Sequence, residues 1–248
     1  MEGDEEPRGQ PPAWGFLSLR HSCRVRTSAS GPTRGVPRKE WDRVSDRYDR
    51  QLWLEHSAVA AALDLANPKP SDRLLDLGTG TGEVLRELAT RATRPLDAVG
   101  VDSSAAMLSQ VPALPTGWSV READALALPF PAAAFTIAVA SYVLHVLPQE
   151  ALATAMGELA RVLCTGGRVV TVTPVVPARG PMWAIGAASD VLARLAPARF
   201  GGLRSLDPRD ALQQAGFTVL RGTTVLRGYP SLCVLAELSP SASGASGS

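Results

Sequence analysis

Apolar positions along the chain follow two spacings, one typical of buried β-strands and the other typical of amphipathic helices. Short runs rich in apolar and β-branched residues predict strands at 73–77, 98–102, 135–140 and 168–173, and 118–122 is interpreted as a further strand. Helical spacing predicts helices over 41–66, 83–91, 104–110 and 149–163. Two later runs, 217–226 and 232–237, predict a closing hairpin, which follows a helix that starts at Asp207-Pro208 and stops at Gly216.

Strands that alternate with helices in this way form βαβ units, which build a mostly parallel sheet with helices on both faces. The predicted fold class is therefore α/β, a doubly wound, mostly parallel seven-stranded sheet with a C-terminal antiparallel hairpin. We expect the helix over 149–163 to be stopped by Gly166 and Gly167, with glycine supplying a left-handed cap.

Composition divides the chain into three parts. The first 40 residues are dense in Pro, Gly, Ser and Arg, which bury too little apolar surface to offset the entropy of ordering. They are interpreted as a disordered leader, as the product of a start codon placed too far upstream, or as a basic arm for a partner. A domain over 41–238 follows, in which 174–206 is either an apolar substrate lid or a helix on the sheet edge, and 239–248 is predicted to be a flexible tail.

The charge balance argues against nucleic acid and anionic membranes as partners. Lys plus Arg number 25 and Asp plus Glu number 24, a formal charge of +1, whereas both partners recruit an excess of basic residues. An apolar stretch over 125–149 is interrupted by prolines and is too short between them for a membrane span. Three scattered cysteines offer neither a disulfide framework nor a metal site, so a cytoplasmic setting is expected.

A glycine-rich turn joins the first predicted strand to a helix, in the segment Asp76-Leu-Gly78-Thr79-Gly80-Thr-Gly82-Glu83. Such a turn lies at the carboxyl end of a parallel sheet, where folds of this class bind ligands, and glycine lets a ligand approach the backbone. A dinucleotide fingerprint would need glycine at position 83, where this chain has an acid, and no Walker pattern is present. The segment is also compatible with a purely structural strand-to-helix turn.

Two aspartates follow neighbouring strands at the same edge of the predicted sheet. Asp102 ends the second strand, where its carboxylate can accept both hydroxyls of a ribose or can cap the next helix. Asp124 follows the third strand, where it suits an adenine amino group or is an ordinary loop aspartate. Each residue therefore has a binding interpretation and a structural one.

In order and spacing, these motifs resemble those of the class I S-adenosylmethionine-dependent methyltransferases. The resemblance covers about 41–175 and is similar to the type 11 group, which includes the ubiquinone and menaquinone C-methyltransferases. The segments that carry it are 76–82, 99–108, 122–130, 135–145 and 158–168. Thr136 departs from the pattern, because an aspartate commonly follows the phenylalanine in this family.

The resemblance implies a Rossmann-like methyltransferase fold, S-adenosyl-L-methionine as cofactor and S-adenosyl-L-homocysteine as product. It implies that the glycine turn contacts the methionine part of the cofactor, that Asp102 binds the ribose, and that Ser141 lies next to the methyl group. Tyr48, together with Asp49, resembles a pair that closes over the cofactor. The implied cofactor-binding residues are Tyr48, Asp76, Gly78, Thr79, Gly80, Gly82, Asp102, Ser103, Met107, Asp124, Ala125 and Ser141.

The implied reaction is in-line attack on a sulfonium methyl group, for which orientation alone contributes about 7–11 kcal/mol. An acceptor that must lose a proton also needs a general base. His145, four residues past Ser141, is the candidate catalytic residue, and its alternative is a packing role on a short apolar helix. Tyr48 and Tyr142 are second candidates, and no metal site is expected.

The expected function is methyl transfer to a small apolar or aromatic metabolite, because the sequence offers no basic groove for nucleic acid. Two alternatives stay open. One is a non-catalytic S-adenosylmethionine-binding or partner module, since the resemblance implies a pocket and not turnover. The other is a nicotinamide-dependent oxidoreductase, which would share the fold and Asp102 but needs the missing glycine.

Overall fold

A computed structural model describes residues 52–176 and 204–240 of the chain. In these ranges the helices are α1 (Leu52–Ala66), α2 (Glu83–Ala89), α3 (Ala105–Leu108), α4 (Gln149–Val162) and α5 (Arg209–Gln214), and a 3₁₀ turn spans Leu144–Val146. The strands are β1 (Arg73–Leu77), β2 (Asp97–Asp102), β3 (Trp118–Glu122), β4 (Phe135–Ser141), β5 (Leu163–Pro174), β6 (Phe217–Val225) and β7 (Ser231–Leu238). The predicted leader, Tyr48, and most of the candidate lid and tail lie outside the described residues.

The strands form one sheet in the order β3-β2-β1-β4-β5-β7-β6. Strands β1 to β5 pair in parallel, while β7 pairs antiparallel with both β5 and β6. This arrangement confirms the predicted α/β fold with seven strands and a closing hairpin. The strand order reverses between β1 and β4, and in open α/β sheets the carboxyl ends of strands at such a point form the ligand crevice.

Successive side chains along each strand lie on opposite faces of the sheet, and each face packs into an apolar layer. Leu75 and Leu77 of β1 belong to the layer that includes Leu152 and Leu159 of α4. Leu74, which directly precedes Leu75, belongs to the layer on the other face, which α1 and α2 cover. The sheet is thus buried on both faces, as expected for a parallel sheet.

The expected glycine cap of α4 is wrong. The helix ends at Val162, and Leu163 is already extended, with φ −83° and ψ 142°, because it pairs with Phe135 at the start of β4. Gly166 has a left-handed φ of +74°, but it lies within β5, three residues beyond the end of the helix cap. Pairing with the sheet therefore ends this helix before the glycines are reached.

The residue that departs from the resemblance, Thr136, supports the end of the sheet away from the crevice. Its Oγ1 donates to Asp72 Oδ1 at 2.9 Å and accepts the Arg73 N–H at 3.0 Å. Arg168 donates to Asp72 Oδ2 at 3.0 Å and to the Ala66 carbonyl at 2.6 Å. Thr136, which replaces the family's common aspartate, therefore takes part in a hydrogen-bond network between β1, β4 and β5 and not in the crevice.

The undescribed segment 177–203 leaves and re-enters the described structure at neighbouring points. The Leu206 N–H donates to the Pro174 carbonyl at 3.1 Å, and the Val175 N–H donates to the Pro230 carbonyl at 3.0 Å. The described residues on either side of 177–203 are therefore held near the start of β7, Val175 through Pro230 and Leu206 through Pro174. Within 52–176 and 204–240, no helix has the length and apolar character that crossing a membrane requires.

Candidate functional site

The turn between β1 and α2 is built on glycines with left-handed backbone conformations. Gly78, Gly80 and Gly82 have φ values of +70°, +54° and +85°, which residues with side chains rarely adopt. The N–H groups of Gly78 and Thr79 both donate to the Val101 carbonyl, at 2.8 and 2.9 Å. These two hydrogen bonds fix the turn against the end of β2.

Gly78 and Gly80 lack side chains for different physical reasons. Packing against Val143, in the segment after β4, excludes a Cβ at Gly78. A Cβ at Gly80 would meet no described atom within 4 Å, and Gly80 lies in the wall of a cavity. The backbone at Gly80 is therefore open to the cavity.

Asp102 connects the glycine turn to the end of β2. Its Oδ2 accepts the Gly80 N–H at 2.9 Å, and its Oδ1 accepts the Ser104 N–H at 2.9 Å. The alternative interpretation of Asp102 as the cap of the next helix is wrong, because Ser104 caps α3 and its Oγ accepts the Met107 N–H at 3.2 Å. The carboxylate of Asp102 instead lies in the cavity wall.

Asp76 is fully buried at the base of the glycine turn. The Thr79 Oγ1 donates to its Oδ2 at 2.6 Å, while Oδ1 has no hydrogen-bond partner among the described residues. Burial raises the pKa of Asp76 to about 7, against the opposing effect of the Thr79 hydrogen bond and with a smaller contribution from Asp102. An orphaned oxygen on a buried carboxyl fits a cationic ligand group over the turn, because a nearby positive charge favours the ionised carboxylate.

The loop over 123–130, which follows β3, brings Asp124 and Ala125 into the cavity wall. The Ala123 N–H donates to the Asp102 carbonyl at 2.9 Å, which ties the start of the loop to β2. Asp124 Oδ1 accepts the Leu126 N–H at 2.9 Å. Asp124 is exposed and lies in the cavity wall, and its described hydrogen bond uses only Oδ1.

Tyr142 follows β4 directly and lines the cavity with a strained backbone. Its φ is +52°, which is rare for a bulky residue and is found where surrounding structure imposes it. The Ser231 hydroxyl donates to the Tyr229 carbonyl at 2.7 Å. Its Oγ therefore accepts from Tyr142 Oη at 2.5 Å. Burial raises the pKa of Tyr142 well above its ordinary value, which argues against this residue as a proton acceptor.

Two further titratable residues lie beside Tyr142. His145, in the 3₁₀ turn, is 4% exposed and packs edge-on against the Tyr142 ring, with 6.2 Å between ring centroids. Glu55, in the first turn of α1, has its pKa raised to about 7 by burial and by the charge of Glu83. No pattern in the sequence singles out Glu55, because an acid in the first turn of a helix is common.

A cavity of about 600 Å³ opens at the carboxyl ends of β1, β2 and β4. The predicted cofactor residues that line it are Gly78, Gly80, Asp102, Ser103, Met107, Asp124 and Ala125. Four others lie close to the cavity but outside its wall: Asp76, Thr79, Gly82 and Ser141. His145 is also outside the wall, and sequence reasoning missed the apolar part of it at Val143, Val146, Leu147 and Pro148.

Among the described residues, the charged side chains in the cavity wall are Asp102, Glu122 and Asp124, all acidic, and none is Lys or Arg. A pyrophosphate would meet like charge there, whereas a nucleoside attached to a cationic group would be attracted. The residues present thus fit S-adenosylmethionine better than a dinucleotide. In the described part of the chain, no group of His, Cys, Asp and Glu side chains could hold a metal ion.

Comparison with known proteins gives matches over the same region. A family profile described as a methyltransferase domain matches residues 74–167. Nocamycin O-methyltransferase of Saccharothrix syringae is 33% identical over 203 residues, which cover 73% of this chain and 72% of that enzyme. Demethylmenaquinone methyltransferase of Thermus thermophilus is 42% identical over 124 residues, which cover 48% of this chain and 54% of that enzyme.

The match to the Thermus enzyme therefore spans only about half of that relative's length. Among solved structures, the [4+2]-cyclase SpnF superposes with a TM-score of 0.57 at 19% identity, covering 74% of this chain and 80% of that one. A likeness at this identity concerns the fold. It also shows that a protein of this fold can carry a name for chemistry other than methyl transfer.

Proposed function

Because the chain belongs to the class I S-adenosylmethionine-dependent methyltransferases of the type 11 group, we propose that it transfers a methyl group from S-adenosylmethionine to a small apolar or aromatic acceptor. The observation that carries the proposal is the cavity at the β1–β4 crevice, with its accessible Gly80 backbone and wholly acidic set of charged residues. When bound there, S-adenosylmethionine supplies a methyl group on a positively charged sulfur, which is an intrinsically good leaving group.

The protein's part in this reaction is to bind and align. The glycine turn contacts the methionine part, with Asp76 behind it, and Asp102 accepts the ribose hydroxyls. Asp124 accepts the adenine amino group with its second carboxylate oxygen, and Ser103, Met107 and Ala125 enclose the base. Hydrogen bonds to a carboxylate of this kind contribute roughly 1.5–3 kcal/mol each.

The acceptor occupies the apolar part of the cavity formed after β4. Tyr142, Val146, Leu147 and Pro148 supply aromatic and aliphatic surface there without a basic residue. Such a wall excludes water from the reacting atoms and suits a flat or aliphatic metabolite. The two relatives named above carry the names of small-molecule acceptors, demethylmenaquinone and nocamycin, which supports this acceptor class over nucleic acid.

Methyl transfer in line with the carbon–sulfur bond needs chiefly orientation from the protein. For an acceptor that loses a proton, we assign proton removal to His145, which lies against the Tyr142 ring. Since His145 lies outside the wall, it would reach an acceptor proton through an intervening water. Tyr142 itself stays protonated and serves as surface, with its hydroxyl held by Ser231.

The full chain incubated with S-adenosylmethionine and candidate acceptors tests the proposal. The panel contains a reduced naphthoquinone, an apolar phenol and a bulk tRNA, and S-adenosylhomocysteine formation is measured. We expect formation with at least one of the first two and none with tRNA. Tight tRNA binding together with weak binding of the apolar acceptors would overturn the acceptor class.

Two alternatives have distinct outcomes in the same system. Tight binding of S-adenosylmethionine without turnover on any acceptor would favour a non-catalytic module or another reaction on the same fold. Quenching or enhancement of NADH fluorescence at micromolar protein would favour an oxidoreductase, which the acidic cavity and Glu83 at the helix start disfavour.

A further inference from the structure

We propose that Glu158 and Arg161 of α4 act together as positioning residues for the nucleobase end of the cavity, because their side chains hold the backbone of the 123–130 loop. The inference rests on the proposed function, since it takes Asp124 and Ala125 of that loop as the adenine contacts. Neither Glu158 nor Arg161 lines the cavity. Their effect on a ligand therefore passes through the loop.

Both backbone polar groups of Leu128 are satisfied by this pair of side chains. The Leu128 N–H donates to Glu158 Oε2 at 2.7 Å, and Arg161 Nη2 donates to the Leu128 carbonyl at 2.9 Å. Arg161 Nη1 donates to the Phe130 carbonyl at 2.7 Å, which extends the attachment along the loop. Leu128 is only 4% exposed, so loss of these partners would leave buried backbone groups without hydrogen bonds.

The two side chains are themselves fixed in a charged pair. Arg161 Nε donates to Glu158 Oε1 at 2.7 Å and Nη2 donates to Oε2 at 2.8 Å, a two-pronged geometry that lysine cannot reproduce. The hydrogen bonds from Arg161, aided by the Leu128 N–H, hold the pKa of Glu158 below its ordinary value. The pair therefore stays ionised at neutral pH and presents one fixed geometry to the loop.

The rest of the loop transmits this attachment to the cavity. The Ala127 N–H donates to the Asp124 carbonyl at 3.0 Å, which closes a tight turn directly before Leu128. The Phe130 ring packs edge-on against Phe135 of β4, with 4.9 Å between centroids. With its start tied to Asp102 and its end tied to α4, the loop has a fixed path, and Asp124 has a fixed distance from the ribose site.

The test measures discrimination between two nucleobases, because a loss of folding stability alone would not change it. Dissociation constants are measured by calorimetry for S-adenosylhomocysteine and for the analogue in which hypoxanthine replaces adenine. For the wild-type chain we expect a preference for adenine of at least about tenfold, since the analogue places a carbonyl oxygen against the Asp124 carboxylate. For Arg161→Met we expect the preference to fall to about threefold or less.

A matched control and conservative variants separate positioning from stability. Arg91 likewise donates to a helix carbonyl, that of Ala60, and to two acids, Asp64 and Glu87. Because Arg91 does not line the cavity, we expect Arg91→Met to keep the wild-type preference for adenine. In Glu158→Gln, the amide oxygen still accepts the Leu128 N–H, but the amide NH2 group then faces the Arg161 Nε–H, so we expect an intermediate preference. If Arg161→Met does not fold, Arg161→Lys is used instead, with an intermediate preference expected because one prong is lost.

Each result has a definite meaning. An unchanged preference in a folded Arg161 variant, or an equal loss in Arg91→Met, would overturn the inference while leaving the proposed function intact. Equal binding of both nucleosides by the wild-type chain would also overturn it, because Asp124 would then not discriminate between adenine and hypoxanthine. A wild-type chain that binds neither would contradict the proposed function itself.

Discussion

The side chain of Val143 fills the space in which a side chain at Gly78 would begin. A Cβ added to Gly78 would lie 2.6 Å from both the Cβ and a γ-methyl of Val143, far inside normal contact distance. Gly78 belongs to the turn after β1 and Val143 to the segment after β4. Their contact brings together the two chain segments that border the cavity.

Alanine substitutions at two glycines should therefore have different effects. Gly78→Ala combines the clash with a left-handed backbone, so we expect a loss of roughly 2–5 kcal/mol in unfolding free energy. Gly80→Ala carries only the backbone cost, about 1–2 kcal/mol, but places a methyl group at the cavity wall. We expect this second variant to fold and to bind S-adenosylhomocysteine at least about tenfold more weakly.

Urea unfolding and calorimetric titration measure the two quantities. The double variant Gly78→Ala/Val143→Ala provides the control, because it removes the clash and should regain part of the stability lost in Gly78→Ala. No recovery in the double variant would contradict the packing explanation.

Removal of the Asp102 carboxylate should weaken cofactor binding. Asp102→Ala loses the predicted ribose contact and also the hydrogen bonds to the Gly80 and Ser104 amides. We expect affinity for S-adenosylmethionine to fall at least tenfold, about 1.4 kcal/mol, by calorimetric titration. Asp97, at the opposite end of the same strand, is the matched position, and Asp97→Ala should leave the affinity within about twofold of wild type.

The buried Asp76 should make both stability and affinity depend on pH. Its pKa is raised from 3.8 to about 7 in the folded chain, so its neutral form is the one compatible with burial. The corresponding stability is fully present below about pH 4 and is lost as pH rises through about 7. Asp76→Asn should remove this part of the pH dependence of urea unfolding.

Binding should show the opposite trend, because a cationic amino group over the turn favours the ionised carboxyl. We expect S-adenosylhomocysteine to bind more tightly at pH 8 than at pH 6, with release of a proton that is detectable in buffers of different ionisation enthalpy. Glu55, whose pKa is also raised to about 7, should be tested in parallel. Retention of the full pH dependence in Asp76→Asn, with its loss in Glu55→Gln, would reassign the effect to Glu55.

Proton removal from the acceptor can be assigned by pH–rate profiles. If His145 is the general base, His145→Asn should lower kcat by about 10²–10⁴-fold at neutral pH with little change in cofactor affinity. Tyr142→Phe should keep the shape of the profile, since its hydroxyl proton is already donated to Ser231. If the pH dependence of kcat disappears in Glu55→Gln but persists in His145→Asn, His145 is not the general base.

The network at the amino ends of the strands should affect stability alone. Arg168→Met removes hydrogen bonds to Asp72 and to the Ala66 carbonyl, so we expect a loss of roughly 1.5–3 kcal/mol in urea unfolding. The exposed Arg209–Asp207 pair is the comparison, and Arg209→Met should cost less than about 1 kcal/mol. S-adenosylhomocysteine affinity should not change in either variant.

The fold was predictable because its signals are local. Strand β1 lies at the predicted 73–77, since its leucine-rich run between Pro70 and Gly78 leaves few other registers, and β3 lies at the predicted 118–122, directly after Gly117. The end of α4 was not predictable in this way. Leu163 is extended because it pairs with Phe135, 28 residues earlier, and a capping signal in the sequence does not contain that contact.

The candidate site likewise has one part that local sequence motifs predict and one part that depends on contacts distant in the sequence. The floor of the cavity, from Gly78 to Asp124, follows from motifs at the ends of successive strands. The wall after β4 depends on the left-handed Tyr142, whose conformation is supported by Ser231, 89 residues further along the chain. No local pattern marks a tyrosine for that conformation, so its role as cavity wall was missed.

The hydrogen bond between the Leu206 amide and the Pro174 carbonyl holds the two ends of 177–203 together at the sheet. The β5–β7 pairing and this hydrogen bond both lie in the described residues on either side of 177–203. We therefore propose grafting a relative's segment between Pro174 and Leu206, the stretch interpreted from the sequence as a substrate lid or an edge helix, as a way to change acceptor preference while keeping the nucleoside site.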